Sequence, residues 1–184
     1  MSRVRFATAQ AVFETFPELA EKIAGPAGNQ PPIDFLKRLA ADGRIGEAVT
    51  FCAYLLPRRE AVWWACGCVR MLSADLAKDQ AAGLLAAESW VRQPDDAHRQ
   101  DALEIGTRGD GKDAVTWLAR AAGWSGGFRN SSQNRQDPIA PFMTARAVRI
   151  AVLFSAAKTS GAERLERMQT CIAEGIKLAQ NGLS

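Results

Sequence analysis

Apolar residues recur at three- and four-residue spacing along almost the whole chain, and stretches of strict alternation are absent. That pattern predicts helices rather than strands. The first helix is expected at residues 8–16, and Pro17 suits the opening turn of a second short helix through residue 24, where a missing N–H costs nothing. Gly25, Pro26, Gly28 and Pro31 mark a linker. Residues 32–41 place Ile33, Leu36 and Ala40 on one stripe and end at Asp42-Gly43; residues 45–55 place Ala48, Val49, Cys52 and Leu55 on another. In residues 57–72 the apolar positions surround the axis almost completely, from Ala61 through Trp63, Trp64, Cys66 and Cys68 to Leu72, so this helix belongs at the centre of a core. Further helices are expected at 77–92, 95–107, 113–122, 142–158 and 162–180, the last closed by Asn181-Gly182. Residues 123–141 carry no helical period and read as a long loop.

The expectation is therefore an all-α fold, a compact bundle of roughly seven to nine helices. With 184 residues, 47% of them hydrophobic, there is apolar material for one well-packed domain. Residues 1–31 are expected to form N-terminal helices and a linker that pack on the helical domain of 32–184. Ala-x-x-Trp occurs three times, at Ala61/Trp64, Ala87/Trp90 and Ala114/Trp117. Degenerate helical-hairpin repeats and ordinary small-large core packing both stay open as explanations. No apolar run approaches the roughly 20 residues that span a bilayer, and the opening Met-Ser-Arg-Val-Arg lacks the apolar core of a signal peptide. These features predict a cytoplasmic protein with no membrane partner.

Charge adds more through its distribution than through its sum. The net charge is +3, from 23 basic and 20 acidic residues, far short of the concentrated excess of a dedicated nucleic-acid binder. Residues 73–113 carry a net −4, whereas residues 124–149 carry +3. Opposite regional charges suit a protein partner better than a phosphate backbone.

Candidate chemistry is sparse. The chain has one histidine, His98, and four cysteines without companions at ligand spacing. Cys66 and Cys68 lie two apart, so on a helix they point about 200° from one another and cannot chelate one ion. Cysteine as a small buried apolar residue explains all four, and no metal or cofactor is expected. His98 follows Asp95 and Asp96 at a helix start, where aspartate reads as a cap and no nucleophile completes a catalytic set.

Binding features are more prominent. Arg58 and Arg59 fall in a first helical turn, where the dipole disfavours cations by about 0.3–1 kcal/mol each. Glu60 offers a local structural explanation. Use at an interface is the other, because Arg and Trp are enriched at hot spots and the pair stands beside Trp63 and Trp64. Adjacent tryptophans project about 100° apart, so one can fill the core while the other reaches its rim. In the long loop, Trp124, Ser125, Gly126, Gly127, Phe128 and Arg129 join aromatic area to a flexible hinge, which can anchor a partner or fold back onto its own domain. No Lys-Ser/Thr follows the glycines, which argues against a phosphate loop.

Taken together, Leu-Pro-Arg-Arg-Glu-Ala-Val-Trp-Trp-Ala-Cys at 56–66, Trp90-Val91 before Pro94, and Trp-Ser-Gly-Gly at 124–127 resemble a family of small bacterial proteins of unknown function. Members of that family are often encoded among type VI secretion genes, near spike, PAAR-repeat and effector-adaptor proteins. The resemblance covers about residues 35–157. It implies an accessory role, in which a secretion effector, adaptor or spike protein is loaded, stabilised or docked. The expected function is thus a non-enzymatic protein-binding factor, with homo-oligomerisation open. The rival is a small enzyme or toxin-related hydrolase using dispersed acids and His98, and weak nucleic-acid binding comes third.

Overall fold

The Thr8 side chain accepts a hydrogen bond from the Ala11 N–H and so starts the first helix, α1 (Ala9–Thr15). In this computed structural model, which describes residues 5–73, 76, 81–126, 128–130 and 136–183, a 3₁₀ turn at Pro17–Glu21 follows, tighter than the helix expected through residue 24. Then come α2 (Pro32–Ala41), α3 (Ile45–Leu55), α4 (Arg58–Leu72), α5 (Ala82–Arg92), α6 (Asp96–Arg108) and α7 (Ala114–Gly123). After a 3₁₀ turn at Trp124–Gly126, β1 (Phe128–Asn130) pairs antiparallel with β2 (Gln136–Pro138), and α8 (Met143–Lys158) and α9 (Gly161–Asn181) complete the order. The architecture is all-α, with this small ribbon inserted between α7 and α8. The expected helix start at 77–80 lies outside the described residues.

Two details differ from the sequence pattern. Pro57 caps α4 in an extended conformation (φ −56°, ψ 155°) instead of entering it, so Arg58 is the first helical residue. Part of the long loop is a ribbon in the register Phe128↔Pro138, Arg129↔Asp137 and Asn130↔Gln136. Three-residue strands are too short to display a period of two.

The N-terminal segment enters the same core as the rest. Val12, Phe16, Leu19, Ile23 and Ala27 are buried with α2 and α3. Phe13 stands edge-on to Phe35 (5.9 Å between centroids) and Phe16 edge-on to Tyr54 (5.2 Å), arrangements that aromatic quadrupoles favour. Burial pushes the Tyr54 phenol up from its ordinary value, with the charge of Glu18 adding to the effect. Further along, α7 is packed by α5, α6 and α8, and α4 by α5, α8 and α9. Glycines let α7 come close. A Cβ on Gly106 would stand 2.7 Å from the Arg120 backbone nitrogen, and one on Gly83 2.3 Å from the Val115 carbonyl oxygen. Gly182 closes α9 at φ +74°, a value glycine adopts without strain. Among the described residues, no helix is long and apolar enough to cross a membrane.

Candidate docking groove

Because the apolar positions of α4 surround its axis, its neighbours must cover it on several sides. α9 and α5 leave a groove of about 760 Å³ along one of them. Trp63 and Trp64 sit on its α4 wall. Trp64 turns inward, 3% exposed, and its indole N–H donates to the Cys171 carbonyl at 2.7 Å. Trp63 turns outward and is 39% exposed. Of the two indoles proposed for a partner, Trp64 is thus committed to joining α4 to α9, and Trp63 is the one presented to solvent.

Charges in the groove are organised as pairs. Glu88 of α5 is buried, yet its carboxylate receives two hydrogen bonds from Arg70, at 2.6 and 2.8 Å, with Arg92 at 3.9 Å. On α9, Lys177 pairs with Glu174 at 2.6 Å. Arg92 keeps a mostly exposed side chain at this rim.

All four cysteines are free and buried. Cys66 and Cys68 diverge as their spacing requires. Burial pushes the Cys66 thiol up, reinforced by the charge of Glu88 and opposed by Arg70 and Arg92. The Cys68 thiol faces Cys171 across the α4–α9 contact. Burial raises it, and its hydrogen bond to Cys171 raises it further, while the same hydrogen bond holds Cys171 below the usual thiol range. The Cys171 sulfur in turn lies 4.0 Å from the Met71 sulfur. Cys52 of α3 is pushed up by burial and by its proximity to Cys171. Sequence spacing could not join these residues, because Met71 and Cys171 are 100 positions apart and meet only when α9 docks.

The other predicted binding residues gather at a different place. Arg58 donates from Nη1 to the Ser125 carbonyl (2.8 Å), and Arg59 from Nε to the Val91 carbonyl (2.7 Å). Ser125 Oγ donates to the Ala122 carbonyl (2.5 Å), and Trp124 stands edge-on to Trp117 (6.3 Å between centroids). Arg99 reaches the Gly123 carbonyl (3.0 Å) and covers Gly126 so closely that a Cβ there would lie 2.5 Å from its Cδ. The contacts of Arg58, Ser125, Trp124 and Arg99 clasp the 3₁₀ turn to the helical body, whereas Arg59 ties α4 to the end of α5. Gly127 lies outside the described residues, as do the side chains of Phe128 and Arg129, whose backbone belongs to β1.

His98 lies away from the groove. Its backbone N–H and its ring Nδ1 both approach Asp95 Oδ1, at 2.9 and 2.7 Å, and these contacts hold the Asp95 carboxyl below its usual range. The pair closes the N-terminus of α6. Among the described residues, no group of three or more His, Cys, Asp or Glu side chains stands close enough to hold a metal ion.

Compared with known protein families, residues 35–179 match a family of unknown function (DUF6931). No curated protein matches the chain, and no solved structure matches it.

Proposed function

We propose, for a chain that belongs to the DUF6931 family, a non-enzymatic function as a protein-binding accessory factor that receives a partner segment in the groove beside Trp63. The observation that carries this reading is the division of the adjacent indoles. Trp64 is consumed by packing, whereas Trp63 keeps 39% of its surface exposed at the edge of a groove large enough for several side chains. A half-exposed aromatic beside apolar walls and paired charges has the composition of an interface anchor. His98 and Asp95 give the enzyme reading no comparable support, since both are engaged in capping α6.

The resemblance to proteins encoded among type VI secretion genes supplies the partner class. The factor acts in the cytoplasm as an adaptor or co-chaperone for a secretion effector or spike component. Co-expression with tagged effector, spike and PAAR-repeat proteins from such gene clusters, followed by affinity capture and light scattering, tests this. One of them is expected to be retained by the wild type and by His98→Ala, and lost with Trp63→Ala while the fold persists. Retention unaffected by Trp63→Ala, or no retention at all, overturns the reading.

A further inference from the structure

A helix that is apolar on every side belongs inside a protein, yet α8 lies at the surface. Its inner side, built from Ala147, Val148, Ala151, Val152 and Ala156, is buried, and α8 packs on α3, α4 and α7. At about 100° per residue, Ile150, Leu153 and Phe154 fall on the opposite side, in one arc of about 140° with Arg146 and Arg149. Phe154 is 38% exposed, and Ile150 and Leu153 are half-buried. No acidic residue occurs anywhere in α8. An outward face that runs from arginine into apolar side chains has the marks of a surface that is covered in use.

The cations at the head of this face lack carboxylate partners. Arg146 is exposed, and Arg149 donates from Nε to a neutral acceptor, Thr50 Oγ1 of α3, at 3.0 Å. Arg5 reaches the same end through aromatic contacts. Its guanidinium stands 4.7 Å from the Phe6 ring and 5.7 Å from the Phe16 ring, and Phe16 meets Tyr54, one turn after Thr50 on α3. Among the described residues, none of these three arginines forms an ion pair. Glu18, which acts on the Tyr54 phenol against Arg146 and Arg149, offsets one of the three charges and leaves an excess.

We propose that this face of α8 is a second docking surface, taking a segment of a protein partner in which acidic and apolar residues alternate. Its carboxylates meet Arg146, Arg149 and Arg5, and its apolar side chains cover Ile150, Leu153 and Phe154. Charge complementarity selects that occupant, since the guanidinium fork matches a carboxylate. A second copy of the same face would bring three more bases and no acid. Nucleic acid needs a ring on which bases stack, and the rings beside these arginines, Phe16 and Tyr54, are buried. A helix lying in a membrane needs protruding apolar side chains, whereas Ile150 and Leu153 are half-buried. No residue of α8 lines the groove beside Trp63, so this surface stands apart from it.

The test follows the fluorescence anisotropy of a labelled peptide built only of glutamate and leucine as the full chain is added. Its lysine–leucine counterpart, a single-stranded oligonucleotide and phosphatidylglycerol vesicles serve as the other probes. The glutamate–leucine peptide is expected to bind best, and more weakly as salt rises. Arg146→Glu should weaken it by about tenfold or more and Phe154→Ser by about fivefold, while Trp63→Ala leaves it unchanged. Circular dichroism checks that each variant folds, and where Phe154→Ser does not, Arg146→Glu, at an exposed position, decides. Equal binding of the lysine peptide, tighter capture of the oligonucleotide or the vesicles, or affinity indifferent to Arg146→Glu overturns the proposal. So does a dimer in light scattering that Phe154→Ser dissolves, which assigns the face to a second copy. Loss of the peptide with Trp63→Ala places it in the groove, which overturns this proposal and leaves the groove reading intact.

Discussion

A guanidinium in the first turn of a helix meets the positive end of the dipole, yet Arg58 and Arg59 both occupy that turn. Each is repaid at long range. Arg59 reaches the Val91 carbonyl, at the negative end of α5, and Arg58 reaches the Ser125 carbonyl in the clasped turn. Arg58→Ala and Arg59→Ala should therefore each lower stability by about 1–2 kcal/mol, seen as a lower urea midpoint with unchanged m-value. An unchanged midpoint would show that water replaces the guanidinium at no cost. Substitutions at these arginines consequently test folding before they test association, and Trp63 is the cleaner probe of docking. The anomaly of two cations in a first turn was legible in the sequence. Their partners were not, since nothing in a spacing relates Arg58 to a carbonyl 67 positions away.

Helices whose stripe and cap coincide were readable to the residue, and α2 and α3 have the bounds that their patterns predict. Pro57 was misplaced by one position because proline is accepted both at the N-cap and at the first helical residue. The ribbon at β1 and β2 escaped detection through its shortness, and the groove escaped because it belongs to the docking of α9 on α4 rather than to either helix. Glycines separate these levels well. Gly106 lies against the backbone of α7, whereas Gly67 of α4 has open space where a Cβ would stand. Gly106→Ala should cost about 2–3 kcal/mol through overpacking, and Gly67→Ala should stabilise by about 0.5–1 kcal/mol through backbone entropy alone. Opposite shifts in thermal midpoint are the expected result. Shifts of the same sign would mean that α6 and α7 can separate without loss.

For the molecule as a whole, two depressed carboxyls among the described residues couple the fold to acid. Asp95 is held low first by the His98 backbone N–H and then by its ring, and Glu47 by its hydrogen bond from Arg44 and by the Ala24 N–H. A carboxyl depressed in the folded state stabilises it fully above the unfolded value of about 4, and that contribution is lost as pH falls through the lower folded value. Thermal midpoints should accordingly fall below about pH 4. Asp95→Asn, which keeps an acceptor for the cap, should flatten part of that fall, and an acid limb as steep as that of the wild type would assign it elsewhere. The bond between Trp64 and Cys171 joins residues 107 positions apart, and this separation is also an interval of time. At about 5–20 residues per second, a ribosome needs about 5–20 s to pass from one to the other. Throughout that interval the nascent α4 carries its inward indole and the Cys68 thiol with no α9 to cover them.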